Sequence, residues 1–181
     1  MKTLFRSTLL AALFLATITP TPTVFAAELK PKAEEAIANF KSTDPTLTNF
    51  FNKAAGYAIL PSVGEGGFII GGAHGDGLVY EKGKVVGKVS MTEVSVGAQV
   101  GGGTFAELIF FENEETLTSF KSSKWEMSAK AKANIAASGV AANAKYEQGV
   151  AVFTLPKAGA MVAAAVGGQK FKFEEIKEES R

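Results

Sequence analysis

The chain has 181 residues, 46% of them hydrophobic, with 19 Lys/Arg against 18 Asp/Glu, one histidine and no cysteine. That length suits one domain, and the near-neutral charge gives no broad electrostatic reason to bind nucleic acid or an anionic membrane. Without thiols there are no disulfides, no Cys-ligated metal and no lipoprotein anchor, so the core alone must hold the fold.

Residues 1–26 read as a secretory signal peptide. Lys2 and Arg6 give a basic start, "TLLAALFLATI" an apolar centre, and Val24 and Ala26 the small or apolar residues before a cleavage site at Ala26/Ala27. A spanning helix needs about 20 apolar residues, and Pro20 and Pro22 interrupt this run. The expected mature chain is a single domain, residues 27–181, located in the periplasm or outside the cell.

After the signal, "ELKPKAEEAIANFKST" places Leu29, Ala33, Ala36, Ile37 and Phe40 at helical spacing. A second helix starts at "STDPTLTNFFNKAAG", with Asp44 as N-cap, Pro45 in the first helical position, and Leu47, Phe50, Phe51 and Ala54 as its apolar face. From Tyr57 the texture becomes β-type. "YAIL" and "FIIGGA" read as strands, "PSVGEGG" and "HGDG" as turns, and "LVYEKGKVVGKVSM" as a hairpin with "EKGK" at its tip. "EVSVGAQVGGG" alternates, with Val94, Val96, Ala98 and Val100 on one face, and "FAELIFFEN" is apolar enough for a central strand.

Asn113 then caps a short helix whose first turn carries Glu114 and Glu115, where the helix dipole favours negative charge. Between Trp125 and Ala137 apolar residues fall on every second position, which predicts a strand pair turning near "ASG" despite the alanine content. "GVAVFTLPKAGAMVAAAVGGQKFKF" reads as a closing hairpin around "PKAG", before a charged tail. The predicted fold is α+β and mostly β: an antiparallel sandwich or small barrel of Gly/Ala-rich strands, flanked by N-terminal helices. Small side chains would let its walls approach closely.

No catalytic constellation emerges. "GGFIIGG" lacks the lysine of a phosphate loop. Gly64 and Gly66 begin a dinucleotide fingerprint, but Ile69 breaks it. His74 in "AHGDG" reads as a turn residue, and Glu65 with Asp76 lacks the alternating ligands of a calcium loop. The acid pair Glu174–Glu175 reads as solvated tail. The expectation is a protein that is not an enzyme and needs no cofactor.

Three ordered blocks, "AAGYAILPSVGEGGFIIGGAHGDGLVY", "VGAQVGGGTFAELIFFEN" and "FTLPKAGAMVAAAVGG", resemble the SYLF domain family. Gly56 to Pro61, Gly66 to Phe68, Gly75 to Tyr80, Gly97 to Gly101 and Pro156 to Gly159 occupy its marked places, over about residues 50–173. The resemblance implies an exported bacterial lipid-binding module. Eukaryotic members bind phosphoinositide membranes partly through an amphipathic N-terminal helix, and some bind actin. Here Lys30, Lys32 and Lys41 are balanced by Glu28, Glu34 and Glu35, so those two activities are not carried over. The expected lipid contacts lie on the helices: Leu29, Ile37, Phe40, Phe50 and Phe51 in the apolar phase, with Lys30, Lys32 and Lys53 near headgroups; the alternative for the apolar residues is packing in the core, and it is favoured for Phe50 and Phe51. The competing expectation is an envelope protein that touches no lipid and offers a sheet edge to a protein partner.

Overall fold

The computed structural model describes residues 22–122, 125–128, 132–135 and 138–176. In chain order these form α1 (Pro22–Thr43), a 3-10 turn (Pro45–Leu47), α2 (Thr48–Lys53), β1 (Gly56–Glu81), β2 (Lys84–Phe111), α3 (Glu114–Lys121), β3 (Trp125–Ser128), β4 (Lys132–Asn134), a second 3-10 turn (Ala141–Asn143) and β5 (Val150–Glu175). One open sheet results, mostly antiparallel. β2 lies between β1 and β5, β3 continues the order beyond β5, and β4 pairs with β5 in parallel.

The three long strands have 26, 28 and 26 residues, against about 3–10 in ordinary strands. They fold over together near their middles, so the halves of each strand face one another. Close approach within β1 shows it. A Cβ on Gly77 would land on the Ile59 carbonyl, and one on Gly75 would come 2.7 Å from Val63 Cγ2. Glycine is what permits that approach. The reversal of β1 sits at Gly67–Gly71, with Ile69 between them in the left-handed region at φ 67°.

This arrangement corrects three expectations. "PSVGEGG" and "HGDG" are not turns but lie inside β1, and β5 passes through "PKAG" without a hairpin. The prolines mark bulges instead: register shifts fall between Leu60 and Val63 in β1 and opposite Phe105 in β5, beside Pro61 and Pro156. A residue without an N–H interrupts a ladder, and a bulge absorbs the interruption. In the alanine-rich segment, β3 and β4 each pair with β5, and residues 141–143 form a 3-10 turn rather than the second strand. Residues 136 and 137, at the predicted turn, lie outside the described residues, as do residues 1–21 of the predicted signal. The "EKGK" hairpin is present, with Lys82 and Gly83 at φ 50° and 78°, values a two-residue hairpin turn of the I′ type requires.

Folding the sheet creates two apolar layers. The inner layer joins Leu60, Val63, Ile109 and Val152 of one half to Val79, Val89, Met91 and Phe171 of the other. α3 closes its mouth: the Phe120 ring lies 4.6 Å from Phe111 and 5.5 Å from Phe171, touching both halves. As expected, Asn113 caps this helix, accepting from the Thr116 amide at 2.9 Å. Within the fold, buried Gln169 donates through Nε2 to both carboxylate oxygens of buried Glu107, at 3.0 and 3.1 Å, and so ties the halves together.

The outer layer lies over one half and reaches Leu78 and Tyr80 of the other. Ala33, Ala36 and Phe40 of α1, with Leu47 and Phe50, pack on Ile59, Leu108, Phe110 and Phe153. Asp44 joins the segments. Fully buried, it accepts from the Thr46 amide (3.0 Å), the Thr46 hydroxyl (2.6 Å) and the Ala141 amide (2.8 Å). Burial pushes its pKa up, but hydrogen bonds from Ala141, Thr46 and Gly139 outweigh that and hold it at about 2.

Candidate functional site

Where the sheet turns over, neither layer covers it. Phe68 is 73% exposed, Ile70 65%, and Ile69, Val94, Val96 and Val100 each 56–58%. They are neighbours by pairing: Phe68 stands opposite Val100 and Ile70 opposite Val96 on β2, and those valines stand opposite Val162 and Val166 on β5. No charged residue occurs in 66–75 of β1, 94–106 of β2 or 158–169 of β5. The tip is therefore a contiguous, uncharged apolar surface backed by paired strands. Scattered exposed apolar residues need no explanation, but a contiguous patch marks an interaction site or an aggregation hazard.

The first charged residues met on leaving the tip are Glu65 and Asp76 on β1, Glu93 and Glu107 on β2, and Lys157 and Lys170 on β5. His74 lies in strand rather than in a turn. Its Nδ1 is 3.4 Å from the Thr92 hydroxyl, while Asp76 accepts from Ser90 at 2.6 Å. Each is held by a cross-strand hydroxyl. Among the described residues no group of three metal-ligating side chains occurs.

The helical residues expected to contact lipid are divided by the structure. Phe40 and Phe50 are buried in the outer layer, and Leu29, Ile37 and Phe51 pack half-buried against it. Lys30, Lys32 and Lys53 are exposed. Phe50 and Lys53 border an open cleft of about 470 Å³ with Asn49, Glu112 and Tyr146. Lys32 lies at a smaller one of about 240 Å³ with Glu35, Pro61 and Lys157. Phe51 carries the Lys41 ammonium 4.2 Å above its ring and packs edge-on to Phe110, with centroids 4.8 Å apart. The five apolar residues thus share one packed layer, and the lysines stand around it.

The tip residues were not singled out as a site in the sequence. A signal was present: three uncharged stretches that antiparallel pairing brings side by side. Periodicity alone did not mark them, because an apolar strand reads the same covered or bare.

No protein-family model matches the chain. It is similar to Beta cell expansion factor A from Aeromonas veronii, at 24% identity over 142 residues, covering 77% of this chain and 53% of that protein. The chain spans about half the length of this curated relative. No helix among the described residues is long and apolar enough to cross a membrane.

Proposed function

We propose that the protein is an exported, non-enzymatic module that associates with lipid membranes of the bacterial cell envelope. The observation that carries this reading is the uncharged, solvent-facing apolar tip, which water does not favour and a bilayer interface does. The ordered glycine blocks that resemble the SYLF domain family point the same way.

Co-sedimentation with phosphatidylcholine vesicles, with and without phosphatidylglycerol, at low and high salt, tests the proposal. Binding that survives salt is expected, since charge attraction is screened and apolar contact is not. Absence from both vesicle pellets overturns it. A second reading, an envelope interaction domain that binds no lipid, is favoured by one observation: β1, 26 residues long, is an outer strand of the sheet, and such edges template pairing with another chain.

A further inference from the structure

We infer that the folded tip is a wedge that seats in the upper part of a single lipid leaflet, with α2 held away from the bilayer. This deepens the membrane reading and rests on it. Four features of the tip fix the geometry.

The first is depth. Along β1, Phe68 is three residues from Glu65 and Ile70 four from His74, which at about 3.3 Å per residue is about 10–13 Å. The hydrocarbon core is about 30 Å thick, so the apex of β1, measured to Glu65 and His74, is shorter than one leaflet of it. Seating the tip places Glu65, His74, Glu93, Lys157 and Lys170 near the headgroups.

The second is backbone chemistry. Through the tip, β2 pairs with β1 on one side and β5 on the other. Among the described residues β1 has a strand on one side only, and the pairing of β3 and β4 with β5 covers residues 168–171 and 152–154 rather than the tip. Edge amides are tolerable among hydrated headgroups and costly in the hydrocarbon centre. Shallow seating satisfies both the apolar side chains and the edges.

The third is charge. Acidic residues lead on β1 and β2 and lysines on β5, so the rim has no basic excess to draw it to anionic lipid. The wedge should enter neutral vesicles at least as well as anionic ones. A surface helix binding by basic attraction would show the reverse preference.

The fourth is orientation. α2 packs on Phe110, with the Phe50 and Phe110 rings 5.4 Å apart, and Phe110 lies ten residues from Val100 along β2, about 33 Å of strand. Lys53, the last residue of α2, is therefore at the far end from the tip.

Because the chain lacks cysteine, one introduced thiol can be labelled cleanly. Full-length Ile69→Cys and Lys53→Cys, each carrying an environment-sensitive fluorophore, would be mixed with phosphatidylcholine vesicles bearing nitroxides either high on the acyl chain or near its end. The expected result is quenching at position 69, stronger from the shallow nitroxide, none at position 53, and no change in high salt. Stronger quenching by the deep nitroxide overturns the single-leaflet depth. Quenching at 53 but not at 69, with binding intact, overturns the wedge and leaves the membrane reading standing. Unlabelled protein that fails to bind either vesicle removes both. In parallel, the double variant Phe68→Asp/Ile70→Asp should keep its circular dichroism and melting temperature and lose at least tenfold in vesicle affinity. Unaltered affinity in that folded variant also overturns the wedge.

Discussion

The two ends of the folded sheet are built from the same three strands and have opposite fates. At the base, side chains on both faces find cover: the inner face meets the other half and α3, and the outer face of one half meets α1 and α2. At the tip the strands continue, paired and just as apolar, but none of the described residues covers Phe68, Ile70 or Val100. Hydrophobicity decides whether a side chain gains from leaving water. Whether it does leave is decided by the presence of a second layer.

That contrast can be broken most forcefully at the base. Phe110→Ala removes a fully buried ring that touches Phe50, Phe51 and Phe153, and should cost about 3–5 kcal/mol in urea unfolding. Gly77→Ala, which presses a Cβ on the Ile59 carbonyl, should cost about 1–3 kcal/mol as the halves are forced apart. Asp44→Ala removes a cap and strands the Ala141 amide, for about 1–2 kcal/mol at neutral pH. The pH sign follows from its carboxyl being lowered from 3.8 to about 2. Its stabilisation is complete above the unfolded value and is lost as pH falls through the folded one. The stability difference between wild type and Asp44→Ala should therefore shrink between pH 4 and pH 2, as acid titrations at fixed urea would show. The smallest effect belongs to the tip: Phe68→Ser should change stability by less than about 0.5 kcal/mol. A tip substitution that destabilised like Phe110→Ala would mean that the tip is packed after all.

What the sequence disclosed divides along similar lines. The Asp44 and Asn113 caps, the Lys82–Gly83 turn and the central strand ending at Phe111 were legible because each depends on a few consecutive residues. Pro61, Pro156 and the Gly75–Gly77 pair were misread as punctuation. A proline at a bulge and a proline at a turn look alike until the neighbouring strand is known. The spacing of Gly75 and Gly77 acquires meaning only when Val63 and Ile59 return to meet them. Val94, Val96 and Val100 were correctly placed on one face, but that it is an open face depends on where α1 and α3 end, which no local pattern states. The helical residues Leu29, Ile37, Phe40, Phe50 and Phe51 form an apolar stripe in the sequence, and in the fold they pack against the sheet.

The turn of the sheet also bears on how such a chain can change over generations. Between the pairs Phe68–Val100 and Ile70–Val96, β1 contributes one residue where β2 contributes three, so the bend is a matched difference in arc length. Surface loops commonly absorb insertions and deletions. Here a single residue gained or lost near Ile69 would slip one half of β1 against β2 and exchange its inward and outward side chains. The most exposed part of the molecule is thus permissive toward exchange of one apolar residue for another and intolerant of any alteration in length.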